Sequence, residues 1–96
     1  MFAALCRMEL FLLEGPNSLK RKRQIIKSLK ERIRNRFGAS TAEVDELDKW
    51  QRSSLGVAFV SGDRFNAEQV IQKIMSYVES DGTVEIVSQY TDYVKL

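Results

Sequence analysis

Lys20, Arg23, Lys27, Lys30 and Arg34 follow one another at spacings of three and four residues, the interval that stacks side chains along one side of a helix. A row of cations of this kind can neutralise successive phosphates of a polyanion without making or breaking a bond. Arg21, Arg32 and Arg36 fall on the other flank of the same helical wheel. Nine of the 15 Lys and Arg residues lie between Lys20 and Arg36, against a single acid, Glu31. Leu19, Ile26, Leu29, Ile33 and Phe37 share a third face, with Ile25 at its margin, so the helix sets an apolar face into a core and shows cations on both shoulders. Cations at 32, 34 and 36 suit a helix C-terminus. Lys20, Arg21, Lys22 and Arg23 sit at the end that is already positive, where each charge costs about 0.3–1 kcal/mol. A surface shaped by stability alone would carry acids there, which favours an anion-binding role.

Other chemistries are poorly provided for. The chain has no histidine, the commonest general base and metal ligand. Cys6 is mid-strand on an apolar face, where a buried thiol is inert. Glu43, Asp45, Glu46 and Asp48 lack the glycine and distant bidentate glutamate of a calcium loop. They read as a solvated acidic turn, or as partners for Arg21, Arg32 or a neighbouring molecule's helix. Ser61-Gly-Asp-Arg64 is a strand-to-helix turn without a phosphate-loop pattern. Trp50 reads as a rim residue closing the core, with a stacking platform as the functional alternative. The expectation is a protein that is not an enzyme, with no cofactor, no metal and no evident small-molecule substrate.

At 96 residues, with 44% hydrophobic and 29% charged residues, the chain has the composition of one globular domain, spanning 1–96. Its net charge is only +2, but residues 1–36 are basic and the remainder is acidic. A single cysteine allows no intrachain disulfide, so a reducing, cytoplasmic setting is expected. Arg7 and Glu9 interrupt the apolar N-terminal run, which therefore reads as neither signal peptide nor membrane span.

The elements that must position the cations follow from periodicity. Residues 2–13 alternate, with Ala4, Cys6, Met8, Leu10 and Leu12 on one side. Glu14-Gly-Pro-Asn17 breaks the strand, and Asn17 or Ser18 caps a helix that runs to Phe37 and ends at Gly38. A short strand spans Ala39–Val44 and a third spans Trp50–Ser61. A helix over residues 65–79 is capped by Asp63 and buries Ala67, Val70, Ile71, Ile74 and Val78. Asp81-Gly82 turns into a last strand over Thr83–Leu96. The order β-α-β-β-α-β, with right-handed crossovers, gives an α+β ferredoxin-like sandwich, a four-stranded antiparallel sheet with both helices on one face. The bare face lacks the aromatic consensus of RNA-recognition domains, since Gly56-Val-Ala58 offers no ring. Phe11 or Phe59 could face outward, and Leu5 and Phe11 are expected to pack against a second copy in a homodimer.

Ser18-Leu-Lys-Arg-Lys-Arg23, Arg34-Asn-Arg-Phe37, Ala42-Glu-Val-Asp45, Trp50-Gln-Arg52, Leu55-Gly56 and Val60-Ser-Gly-Asp63, in this order, resemble the YlxP-like family of small bacterial proteins. The resemblance spans nearly the whole chain and implies a ferredoxin-like fold. Genes of that family often lie beside those for translation initiation factor 2 and ribosome-binding factor A, which implies a role in ribosome assembly or translation. It carries over no catalytic or ligand residue. The first expectation is therefore an RNA-binding or ribosome-associated protein. Lys20, Arg21, Arg23, Lys27, Lys30 and Arg34 would contact phosphates, with Arg32 and Arg36 as secondary contacts. The rival is a protein–protein module whose basic helix docks an acidic partner, including another copy.

Overall fold

Strict alternation makes β1 (Phe2–Leu12) a strand with one dry side: Ala4, Cys6, Met8, Leu10 and Leu12 are buried, while Leu5 and Arg7 are exposed. The computed structural model describes residues 1–96. After the Gly15-Pro16 corner, α1 (Leu19–Phe37) begins at Ser18, whose Oγ accepts the Arg21 N–H at 3.1 Å. It ends at Gly38, whose φ of 67° is left-handed and whose N–H donates to the Arg34 carbonyl at 3.0 Å. β2 (Ser40–Asp45) and β3 (Arg52–Ser61) form a hairpin. Asp63 then caps α2 (Arg64–Ser80) through the Phe65 N–H at 3.2 Å, and β4 (Val84–Lys95) closes the chain.

The strands lie in the order β2-β3-β1-β4, all antiparallel. This is the ferredoxin-like arrangement. Ile25, Ile26, Leu29 and Ile33 of α1 and Ala67, Ile71, Ile74 and Val78 of α2 meet the inward β1 and β3 side chains in one buried cluster. Both helices thus cover one sheet face and leave the other bare. Tyr93 and Phe59 turn inward against this cluster, whereas Phe11 lies on the bare side.

The acidic stretch departs from the simple turn. β2 runs one residue past Val44 and includes Glu43 and Asp45. Its pairing with β3 shifts between Glu43, opposite Leu55, and Asp45, opposite Ser54, so Val44 is the extra residue of a β-bulge. The bulge sends Glu43 to the inner face and Asp45 to the outer one. It also brings Val44 down onto Gly56, where a Cβ would come within 2.9 Å of Val44 Cγ1. Only glycine leaves room there.

Lys22 is the second departure. In sequence it belongs to the unfavourable first-turn cations, yet its side chain is 0% exposed. Its ammonium forms an ion pair with Glu43 and donates to the Glu46 carbonyl at 2.8 Å and the Leu47 carbonyl at 3.4 Å. Glu43 also accepts from Ser53 Oγ at 2.7 Å. All three ammonium donors are satisfied, which a buried charge requires. Lys22→Met is expected to cost about 3–5 kcal/mol, because the Glu43 carboxylate is left without its counter-charge, and adding Glu43→Gln should recover most of the loss. Urea denaturation of the four proteins in a double-mutant cycle checks this; strictly additive effects would refute the coupling.

Candidate nucleic-acid interface

Helical spacing brings Lys20, Arg23, Lys27, Lys30 and Arg34 onto one side of α1, as the sequence predicts. Four are exposed and Lys30 is partly covered. None of the five forms an ion pair within the molecule. Thr41 Oγ1 donates to the Lys30 carbonyl at 3.3 Å, tying α1 to the edge strand β2. The row therefore runs beside the edge strand β2, and none of its charges is taken up by an ion pair.

The other three candidates are used by the fold. Arg21 grips Glu14 with two bonds, Nε to Oε2 at 2.6 Å and Nη2 to Oε1 at 2.5 Å. Arg32 pairs with Asp81 and donates to the Tyr77 hydroxyl at 3.4 Å. Arg36 lies 5.0 Å above the Tyr77 ring, and that ring meets Phe37 edge-on at 5.7 Å. Arg32 and Arg36 thus face α2 and stitch the two helices together. The expected partners of the acidic stretch are corrected accordingly: Glu43 pairs with Lys22, and Asp45 accepts from Arg7 at 3.3 Å. Neither meets Arg21 or Arg32. Much of the first-turn charge is likewise accounted for inside the molecule, which leaves Lys20 and Arg23 as its unpaired members.

These contacts set protonation. The hydrogen bond from Arg32 holds the Asp81 carboxyl below the usual aspartate range, with help from Thr83. Arg21 does the same for Glu14, and the Ser54 hydroxyl, followed by Arg7, lowers Glu9. Burial pushes the Cys6 thiol up, away from a reactive thiolate.

Two other surfaces lie outside the cation row. On the bare sheet face, Leu5, Ala42, Val44, Gly56, Ala58 and Tyr90 line an open depression of about 520 Å³. Tyr90, 65% exposed, is a ring that the motif comparison over Leu55–Ser61 could not find, because it comes from β4. Near the start of α1, the segments 15–17 and 49–52 enclose a second cleft, also about 520 Å³. Trp50 lines it, 51% exposed, outside the buried cluster and ahead of β3. The core-closing assignment of Trp50 is thereby corrected: the indole is exposed and does not join the buried cluster.

Residues 4–91 match the family described as "Protein of unknown function (DUF503)". Over 68 residues the chain is 37% identical to a Bacillus subtilis (strain 168) protein named "Uncharacterized protein YlxP", an overlap covering 71% of this chain and 74% of that protein. The chain belongs to the DUF503 family. The DUF503 match covers α1, β2, β3 and α2 entirely and most of β1 and β4, and so includes both the α1 row and the Trp50 cleft. No helix is long and apolar enough to cross a membrane.

The lowered Asp81 gives a pH prediction. Asp81 titrates lower when folded than unfolded, so the unfolded chain takes up protons first as pH falls. The stability from this pair is present above the ordinary aspartate range and is lost as pH drops through the depressed folded value. Thermal melts from about pH 5 to about pH 2 should fall more steeply for wild type than for Asp81→Asn. Parallel curves would show that the pair contributes nothing.

Proposed function

We propose that this DUF503 protein is a non-enzymatic RNA-binding, ribosome-associated protein that lays the cation row of α1 along the phosphate backbone of ribosomal RNA. One observation carries the reading. The fold engages Lys22, Arg21, Arg32 and Arg36 in internal contacts, yet leaves Lys20, Arg23, Lys27, Lys30 and Arg34 together on one side without an ion pair, Glu31 being the one acid that borders the row. Gene neighbours of the YlxP-like family support ribosomal RNA as the polyanion. Contacts of this type position a protein without reading base sequence.

If all five cations each meet one phosphate, the logarithm of affinity falls with the logarithm of salt concentration at a slope of roughly −3.5 to −4.5. Replacing Lys20, Arg23 and Lys27 together by Glu should abolish retention of labelled ribosomal RNA fragments. The melting temperature should stay equal or rise, because acids complement the N-terminal end of the helix. Unchanged binding in that triple variant would refute the proposal. Arg21→Ala and Arg32→Ala serve as contrasts, lowering stability more than affinity.

The bare sheet supports a second reading, self-association. Leu5, Val44, Val60, Val87, Tyr90 and Val94 are all large, apolar and exposed. Leu5, Val60, Tyr90 and Val94 project from the face opposite the helices. The four strands, 11, 6, 10 and 12 residues long, present roughly 600 Å² at about 3.3 Å per residue and 4.8 Å spacing, somewhat below the ~800 Å² per partner of a standard interface. Sedimentation velocity should show a dimer that Leu5→Glu, placed beside Asp92, returns to monomer. A monomer at every concentration tested would exclude this reading.

A further inference from the structure

The cleft at the start of α1 is lined in a way that the cation row does not explain. Trp50 is the only tryptophan of the chain, and half of it lies in solvent although indoles are mostly covered in folded proteins. The bases Lys49 and Arg52 flank it, neither in an ion pair, and no carboxylate lines the cleft. The amides of Asn17 and Gln51 complete the lining and offer donors and acceptors of the kind a base edge needs.

The cleft is also held in place. The Gln51 carbonyl accepts the Leu12 N–H at 2.8 Å, which ties the loop to the end of β1. Lys22 holds the carbonyls of Glu46 and Leu47 against the first turns of α1, and the Lys49 N–H closes a turn onto the Glu46 carbonyl at 3.1 Å. Gly15, with φ of 65°, passes so close that a Cβ would meet Gln51 Nε2 at 3.2 Å. Asn17 directly precedes the Ser18 cap, so the cleft lies at the Lys20 end of the cation row.

We infer that Trp50 is a stacking platform for one unpaired base of single-stranded RNA, with Lys49 and Arg52 at its flanking phosphates and the α1 row continuing the backbone path. The inference rests on the RNA reading of α1 and specifies the form of RNA taken. Aromatic stacking accepts any base, and cations beside it track the backbone. A duplex keeps its bases inside and cannot reach the indole.

Trp50 reports on its own site by fluorescence. The full chain is titrated at low salt with a single-stranded oligouridylate, with inorganic polyphosphate as a base-free polyanion, and with an RNA duplex of equal length. Filter retention measures binding in parallel. Quenching by the oligouridylate alone is the expected result. Trp50→Ala should weaken oligouridylate binding roughly five- to hundredfold and leave polyphosphate binding unchanged. Its melting temperature should match wild type, since the side chain lies outside the core. Trp50→Phe should retain part of the affinity. Salt-dependent RNA retention with unquenched emission and an unaffected Trp50→Ala would overturn the stacking site and leave the α1 reading standing. Absence of retention for every nucleic acid would remove both.

Discussion

The buried contact between Lys22 and Glu43 is the constraint that joins α1, β2 and the loop carrying Trp50. A charge with no access to water must find its counter-charge and hydrogen bonds inside the protein, or fold with a penalty of several kcal/mol. Lys22 meets that demand by drawing three separate pieces of chain to one nitrogen: the first turns of α1, the inward side of β2, and the carbonyls of the loop that follows. The apolar stripe of α1 already decides which face is buried, and the ion pair adds a directional contact to β2 and the loop after it. Lys22 continues that stripe toward the helix start, so the pair and the apolar face agree on which cations are left to solvent. The same nitrogen fixes the loop that carries Trp50.

The β-bulge at Val44 belongs to this arrangement. A regular strand would send Glu43 and Asp45 to the same side, and two carboxylates would share one buried lysine. The extra residue separates them, so Glu43 goes inward to Lys22 and Asp45 goes outward to Arg7. Gly56 opposite the bulge admits Val44 without a clash. Sequence features that look unrelated, an acidic run and a glycine in mid-strand, are two sides of one local adjustment.

Most of the fold was legible because period-2 and period-3.6 patterns, the caps at Ser18, Gly38 and Asp63, and the turn at Asp81-Gly82 agree with one another. The cation row was legible for the same reason, since helical spacing alone assembles it. Its division into free and engaged members was not. Arg21, Arg32 and Arg36 are committed by Glu14, Asp81 and Tyr77, contacts that depend on how α1 meets the β1–α1 corner and α2. Lys22 did leave a trace: with Ile26, Leu29 and Ile33 it continues the apolar stripe at spacings of four, three and four, while Glu43 shares the inward phase of Thr41 on β2. A cation on an apolar stripe and an anion on an inward strand position are each improbable alone and explain each other as a pair. The exposure of Trp50 left no comparable trace, because a turn breaks the periodicity that would have oriented it.

The two proposed surfaces occupy opposite sides of the molecule, and that separation has a consequence for geometry. If two copies join through their bare sheets, the helices become the outer layers, because sheets packed face to face sit about 10 Å apart with their covered sides turned away. Each α1 row would then lie along the β2-side shoulder of its own helix layer, with both sheets between the two rows. One short run of phosphates could not reach both rows, so pairing would not deepen a single site. It would instead create two equivalent sites separated by the paired sheets, suited to bridging separate segments of one RNA. A gain in affinity would appear only for RNA long enough to wrap around the dimer, since a linker that cannot span two sites confers no effective concentration. On the proposed reading, dimerisation would therefore act on the length of RNA held, while the chemistry of each contact would stay with the cations of α1.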